Sequence, residues 1–171
     1  LFTATLLPMP TSVAGYFEAL ATCSPCVGQF NHPPRPTDFH GYRYVATGAD
    51  AMRMMELSGG APFADRWASY LQALDNGWLL SPSHNEDNHL RTWGDSSNAT
   101  GVWAADLSRR SIRRAVRARR TFATTDETAS IRMLADSTCW MGSVLSGLGT
   151  TELTVVARDR QDGDGFARLE Q

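Results

Sequence analysis

The chain has 171 residues, of which 42% are hydrophobic and 20% charged, and its formal net charge is -2. This length and composition predict about one domain with one hydrophobic core. The charge gives no long-range attraction to nucleic acid or to an anionic membrane, and no apolar run approaches the ~20 residues of a membrane span. The sequence therefore predicts a soluble protein, cytoplasmic or secreted, without a nucleic-acid or membrane partner.

The first predicted elements are a helix and a short strand that ends at a histidine. Residues 1–7 are apolar but lack the basic flank of a signal peptide, so we interpret them as mid-domain sequence. Residues 16–20 lie in a helical stretch, and residues 27–30 form a short buried strand that runs into Asn31-His32-Pro33. Pro33 biases His32 towards an extended backbone.

Two cysteines precede this strand at the spacing Cys23-Ser24-Pro25-Cys26. Three interpretations stay open: two thiols packed beneath the strand, a disulfide in an exported protein, or a redox pair. We expect the two thiols to be packed beneath the strand.

Alternating residues at 53–57 predict a second strand. A packed helix follows, because apolar residues recur at helical spacing up to the stop at Asn76-Gly77; they are Phe63, Trp67, Tyr70, Leu71 and Leu74. Strand and helix in alternation predict an α/β fold, either barrel-like or doubly wound.

The third predicted strand, residues 78–80, leads into a polar loop that contains Asp87 and His89. In an extended chain an Asp-x-His pair places both side chains on one face. A carboxylate oxygen and an imidazole nitrogen together suit Zn, Mn or Fe. The alternative is a solvated polar turn, but His32 at the end of another strand favours a metal site.

Seven arginines crowd residues 109–120, where Ser108 is a plausible N-cap. Ile112, Ala115 and Val116 form an apolar stripe, so we expect an amphipathic surface helix with a solvated basic face. Docking of an acidic partner or of nucleic acid is the alternative, although no aromatic residues that could stack on bases are interleaved with these arginines.

The character of the sequence changes near residue 137. Residues 141–145 and 151–157 alternate like sheet strands, separated by Gly147-Leu148-Gly149. We therefore predict two parts: an α/β portion at residues 1–137 and a β-strand extension at residues 138–171, with an open sheet edge that needs a partner.

Six motifs in the order found here resemble the polymerase and histidinol phosphatase (PHP) superfamily, most closely its carbaryl-hydrolase-like (CehA/McbA) branch. They are FNHP at 30–33, MELSGG at 55–60, LDNGW at 74–78, NEDNH at 85–89 with WG at 93–94, TGVW at 100–103 and ARRTFATT at 118–125. The resemblance extends from about residue 27 to residue 166.

The resemblance implies the C-terminal part of a distorted (β/α)7 barrel, followed by the start of a β-rich extension. His32, Asp87 and His89 match metal ligands of the family, and Glu56 matches a glutamate placed near the site rather than on the metal. Glu86 replaces a serine and is expected to point away from the metal. The family's opening His-x-His motif and its later Asp-His pair have no counterpart here, so a second chain or fragment is expected to supply them.

The implied function is hydrolysis of a small phosphoester, carbamate or related ester by a water that divalent ions (Zn, Mn or Fe) activate. His32, Asp87, His89 and Arg91 form the expected catalytic set. Arg35 and His84 are expected to contact the substrate, although each arginine also fits an ordinary surface role and His84 a structural one. The alternative function is a non-catalytic structural or protein-interaction module with an incomplete metal site.

Overall fold

The computed structural model describes residues 10–24, 26–33, 38–58, 63–147 and 149–160. Three helices and eight strands occur in this part of the chain, together with a turn of left-handed backbone at Asp38–Tyr42. In chain order they are α1 (Val13–Thr22), β1 (Gly28–Phe30), β2 (Met52–Ser58), α2 (Phe63–Asp75), β3 (Ser81–His84), β4 (Ala99–Val102), α3 (Arg109–Arg117), β5 (Thr121–Thr124), β6 (Ser130–Ala135), β7 (Cys139–Trp140) and β8 (Leu153–Arg158).

The strands form three small sheets. β1, β2 and β3 are parallel in that spatial order, with Gly28 opposite Met52 and Met54 opposite Ser81. β4 and β5 pair antiparallel, and β6 lies between β7 and β8 in an antiparallel sheet. The fold is mixed α/β as predicted, and the sheets of the described residues do not close into a barrel.

Ser12 caps α1, since its hydroxyl accepts a 3.1 Å hydrogen bond from the Gly15 amide. Two apolar residues of α1, Phe17 and Leu20, are buried. No helix in the described residues is both long enough and apolar enough to cross a membrane.

The second predicted helix is confirmed as α2, and its buried face is in part the predicted one, since Tyr70 is buried and Leu74 packs against the core. Arg66, Ser69, Tyr70 and Ala73 follow the spacing of a single helix face and are all buried. The predicted packed residues Trp67 and Leu71 are 44% and 43% exposed. The buried face is rotated because it includes an arginine that pairs with a buried acid of β2.

An aromatic cluster fills the core beneath β1. The Phe30 ring has no exposed surface, and its centroid lies 4.8 Å from that of Phe39, 5.2 Å from Trp78 and 5.6 Å from Tyr42. The Trp78 indole N–H donates to the Tyr42 carbonyl oxygen at 2.7 Å. Because Phe30 is the last residue of β1, the core fixes the point from which the chain continues to His32.

The third strand was predicted at residues 78–80 but lies at Ser81–His84. Its polar sequence is accommodated because the buried serine hydroxyls donate to the neighbouring strand: Ser81 to the Arg53 carbonyl at 3.2 Å and Ser83 to the Met55 carbonyl at 3.3 Å. Hydrogen bonds of buried hydroxyl groups, rather than packed apolar side chains, stabilise β3. The sequence therefore lacks the apolar pattern from which a strand is predicted. His84 therefore belongs to the strand and not to the loop.

The predicted arginine-rich helix is confirmed as α3, and the Ser108 hydroxyl accepts from the Ser111 amide at 3.2 Å. Ala115 and Val116 are buried as expected. The face is not purely solvated, because the Arg117 guanidinium donates to the Cys26 carbonyl oxygen at 2.9 Å.

In the C-terminal sheet, β6 pairs with β8 from Ser130 opposite Arg158 to Ala135 opposite Leu153. The strand predicted at 151–157 is confirmed as β8, whereas the one predicted at 141–145 is wrong. Gly142 has a φ of +87°, and a Cβ there would lie 2.1 Å from the Ala118 carbonyl oxygen. This close approach turns the chain away from the sheet. β6 lies before the predicted boundary at residue 137 and forms the middle strand of the sheet.

Cys23 and Cys26 form a disulfide, with their Cα atoms 5.3 Å apart. The expectation of two packed free thiols is therefore wrong. A turn in which the Cys26 amide donates to the Cys23 carbonyl oxygen at 2.9 Å brings the two residues within bonding reach.

Candidate metal site

The ends of three parallel strands bring the predicted site residues together. His32 lies two residues beyond β1, Glu56 near the end of β2, and Asp87 three residues beyond β3. In a parallel sheet the carboxyl ends of neighbouring strands lie on the same edge, where sites form in α/β proteins. This topology explains how residues more than fifty positions apart become neighbours.

The Asp87 carboxylate lies between two imidazoles. Its Oδ2 is 3.7 Å from Nδ1 of His32, and its Oδ1 is 3.2 Å from Nε2 of His89. The His32 side chain is 32% exposed, that of Asp87 36% and that of His89 84%. The structure thus brings Asp87 into contact with both His32 and His89, and these residues are open to solvent on the His89 side.

Glu56 holds His32 from the interior. The Glu56 side chain has no exposed surface, and its Oε1 forms a 2.7 Å ion pair with Arg66 of α2. Its Oε2 accepts the His32 backbone N–H at 2.5 Å and lies 3.5 Å from the imidazole Nδ1. Glu56 therefore stands next to His32 and fixes its backbone, in keeping with the predicted place near the site.

The sequence predicted an extended backbone at the site, and the structure contradicts this prediction. His32 has a φ of 56°, Asp87 of 50° and Arg91 of 63°, all in the left-handed region. Asp and His are among the side chains that tolerate this region best, because they are short and polar. The Asp87 and His89 side chains therefore meet through a turn and not through strand alternation.

Glu86 organises the loop at residues 86–96, which is named the Asp87 loop below. Its Oε1 accepts from the Gly94 amide at 3.0 Å, the Ser96 amide at 3.1 Å and the Ser96 hydroxyl at 3.2 Å. Hydrogen bonds from the Ser96 amide and the Asn88 side chain lower the pKa of Glu86 below its usual value. Sequence reasoning missed this role; the signal was the Gly and Ser residues eight and ten positions later, which supply free amides at a turn.

The Asp87 loop lines an open surface depression of about 410 Å³. Seven of its eight lining residues are of polar or charged type and the eighth is Leu90; they are Glu86, Asp87, Asn88, His89, Leu90, Thr92, Asp95 and Ser96. Both predicted ligands of this loop therefore border the depression.

His84 is buried, at 4% exposure, and its Nδ1 lies 2.8 Å from the Thr124 carbonyl oxygen. A carbonyl only accepts, so Nδ1 carries a proton; in a neutral imidazole Nε2 is then the acceptor. Within the described part of the chain this Nε2 is buried and has no hydrogen-bond partner. A metal-binding or substrate-binding histidine is commonly prepared in this way, and the predicted substrate contact at His84 stays a prediction.

The two predicted arginines are placed differently. Arg91 lies on the Asp87 loop and is exposed, but it does not line the depression. Arg35 lies outside the described residues.

The donor separations fit a divalent ion in part. With bonds of about 2.0–2.2 Å, ligand atoms around a tetrahedral ion lie roughly 3.3–3.6 Å apart. The separations at Asp87, 3.7 Å from Oδ2 to His32 and 3.2 Å from Oδ1 to His89, are each close to this range but involve different carboxylate oxygens. However, no group of three or more His, Cys, Asp and Glu side chains in the described part of the chain is arranged to hold a metal ion.

Comparison of the chain with protein-family models, with curated proteins and with solved structures gives no match.

Proposed function

We propose that this chain carries part of the active site of a metal-dependent hydrolase acting on phosphoester, carbamate or related ester bonds. In this proposal His32, Asp87 and His89 bind a divalent ion, Zn, Mn or Fe. The observation that carries it is the approach of two imidazoles to a single carboxylate from separate strand ends, at 3.7 and 3.2 Å. Such a mixed nitrogen and oxygen donor set suits these metals.

When bound, such an ion supplies a water of lowered pKa and an electrophile for the phosphoryl or carbonyl oxygen of the substrate. The residues of the chain orient the donors. Glu56, paired with Arg66, fixes the backbone of His32, and the Asp87 carboxylate contacts both imidazoles. Arg91 and Arg35 are proposed to bind an anionic substrate oxygen through the planar guanidinium fork.

The finer fold assignment is part of the same proposal: a C-terminal portion of a PHP-type barrel, completed by a second chain or fragment. Its support is the three-stranded parallel sheet with α2 connecting β2 to β3, which is the repeating unit of such barrels. An incomplete barrel also accounts for a site that is open on one side, with His89 84% exposed.

Metal binding tests the proposal. The purified 171-residue chain is loaded with Zn or Mn and dialysed, its metal content is measured by elemental analysis, and Asp87→Asn is compared with wild type. We expect one ion or more per chain in wild type and a loss of affinity of at least about 100-fold in the variant, because a ligand loss exceeds the effect of supporting groups. His40→Gln is the matched control, since His40 is an exposed histidine outside the site.

Hydrolysis of a phosphodiester and of a carbamate ester, measured with and without Mn, extends the test to chemistry. We expect turnover that requires the metal and is lost in Asp87→Asn. A wild-type chain that retains no stoichiometric metal would overturn the proposal.

The second candidate function is a non-catalytic structural or protein-interaction module. It is favoured by the finding that no group of three metal-binding side chains is assembled within the described ranges. A metal-free and inactive chain, folded as judged by circular dichroism, is the result expected for such a module.

A further inference from the structure

The Glu86 side chain is a hydrogen-bonding centre for the whole Asp87 loop. Its Oε1 accepts three hydrogen bonds, from the amides of Gly94 and Ser96 and from the Ser96 hydroxyl, at 3.0 to 3.2 Å. Its Oε2 accepts a fourth, from the Asn88 side-chain amide at 3.2 Å. One carboxylate thus joins the start of the loop to its end, eight to ten residues away.

Asn88 extends these contacts into the middle of the loop. Its side-chain amide nitrogen also donates to the Thr92 hydroxyl at 2.9 Å, and its oxygen accepts from the Leu90 amide at 2.8 Å. Alternate positions from 86 to 96 are therefore tied to one another. Asp87 and His89 lie between these fixed positions, and their side chains contact each other at 3.2 Å.

The chemistry of these bonds requires a carboxylate. The four polar groups around the Glu86 carboxylate are all hydrogen-bond donors, and an ionised carboxylate accepts on both of its oxygens. A glutamine carries an NH₂ group in place of one carboxylate oxygen. In either orientation this group faces a hydrogen-bond donor, so at least one of the four hydrogen bonds is lost. Ordering a loop of this length costs conformational entropy, so the loop needs such bonds to hold one shape.

We propose that Glu86 is a positioning residue that sets the conformation of the Asp87 loop and thereby the affinity of Asp87 and His89 for a divalent ion. The statement about affinity rests on the proposed function, whereas the statement about loop conformation does not. Glu86 touches neither metal nor substrate in this proposal and acts through the backbone of the loop.

The experiment compares Glu86→Gln and Glu86→Ala with wild type in three measurements. Hydrogen exchange without metal reports the Gly94 and Ser96 amides. We expect them to exchange about tenfold faster in Glu86→Ala, the effect of losing a hydrogen bond to a charged group, and by a smaller factor in Glu86→Gln, whose carbonyl oxygen can still accept from both amides. Competition with a chelator reports zinc affinity, which we expect to fall about 10- to 100-fold. The thermal midpoint of unfolding should stay unchanged, since the loop lies outside the core.

Two control variants make the result specific. Glu127→Gln removes an exposed carboxylate elsewhere and should leave all three measurements at wild-type values. Asn88→Ala should release the Leu90 amide and leave the Gly94 and Ser96 amides slow, because Glu86 still accepts from them.

The outcomes separate this proposal from the proposed function. Unchanged exchange of both amides in Glu86→Ala overturns it, whatever the metal binding. Faster exchange with zinc affinity unchanged also overturns it, as does a loss of affinity that accompanies a lower unfolding midpoint. If wild type binds no zinc, the proposed function and the affinity statement fail together, while faster exchange in the variants still supports the loop statement.

Discussion

The parallel sheet and the C-terminal antiparallel sheet differ in how their strands are buried. The hydrophobic core cluster extends from Phe17 to Leu80 and covers the parallel sheet together with its helices. In the C-terminal sheet, by contrast, Leu153 is 61% exposed, Val155 43% and Met133 40%. Strand pairing and a few side-chain contacts, such as the 2.7 Å hydrogen bond from the Trp103 indole to the Ile131 carbonyl oxygen, hold the C-terminal sheet. The parallel sheet has a packed core in addition.

The difference matters for the candidate site, which lies on the packed sheet. His32 follows the fully buried Phe30, and Glu56 is itself fully buried in β2. Positions fixed by core packing can hold side chains within the tolerance that a metal requires. The C-terminal sheet presents an exposed apolar face formed by Met133, Leu153 and Val155.

The largest expected effect comes from Trp78→Ala, set against Leu153→Ala. Trp78 is 1% exposed, so its removal creates a cavity, and it also removes one of the two hydrogen bonds to the Tyr42 carbonyl oxygen, the other coming from Asn76 at 3.0 Å. We expect a loss of about 5 kcal/mol in the free energy of unfolding and, for the 61% exposed Leu153, a change within about 0.5 kcal/mol. Urea denaturation measures both, and similar values for the two would refute the contrast between the sheets.

A smaller effect is expected from Arg66→Met, which leaves the Glu56 carboxylate buried without its 2.7 Å partner. The free energy of unfolding should fall by about 3 kcal/mol, at the low end of the range for a broken buried ion pair. The loss is at this end because the His32 amide still donates to the other oxygen of Glu56. Asp50→Asn is the matched surface control, since Asp50 is fully exposed and lies 3.4 Å from Arg53; we expect less than about 0.5 kcal/mol there. Equal stability of Arg66→Met and wild type would show that the buried pair does not support the site strand.

The smallest effect concerns the turn before β6. The Thr128 hydroxyl and amide, both 2.7 Å from Oδ1 of Asp126, hold the pKa of that carboxyl below its usual value of 3.8. The pKa of Asp126 is lower in the folded state than in the unfolded state, so its ionised form stabilises the turn at pH values above the unfolded-state pKa. This contribution is lost as the pH falls through the folded-state pKa. An NMR titration of the Thr128 amide should show a midpoint below pH 3.8, absent in Asp126→Asn. A midpoint at or above that value would contradict the assignment, and Glu127→Gln should titrate like wild type.

Part of the fold follows from local sequence. β1 and β2 were predictable because their apolar residues are buried on a sheet, and α3 because Ser108 caps a helix with a clear apolar stripe. β3 was not predictable at its true position. Its serines become compatible with a buried strand only through hydrogen bonds to Arg53 and Met55, residues that lie 28 positions earlier.

The candidate site shows the same division. Asp87 and His89 are recognisable from residue type and spacing, and His32 from its place at the end of a strand. The left-handed backbone at His32 and Asp87 was missed, because it depends on the Glu56 carboxylate and on the loop bonds of Glu86. The left-handed φ of Gly142 likewise reflects its contact with the end of α3.

The sequence by itself determined which segments bury apolar surface and which residues carry metal-binding chemistry, since periodicity and side-chain type are local properties. The tertiary structure decided where β3 begins, which face of α2 is buried, and how two imidazoles come to flank one carboxylate. Those outcomes depend on contacts between residues distant in the chain, whose energies have no counterpart in a local pattern.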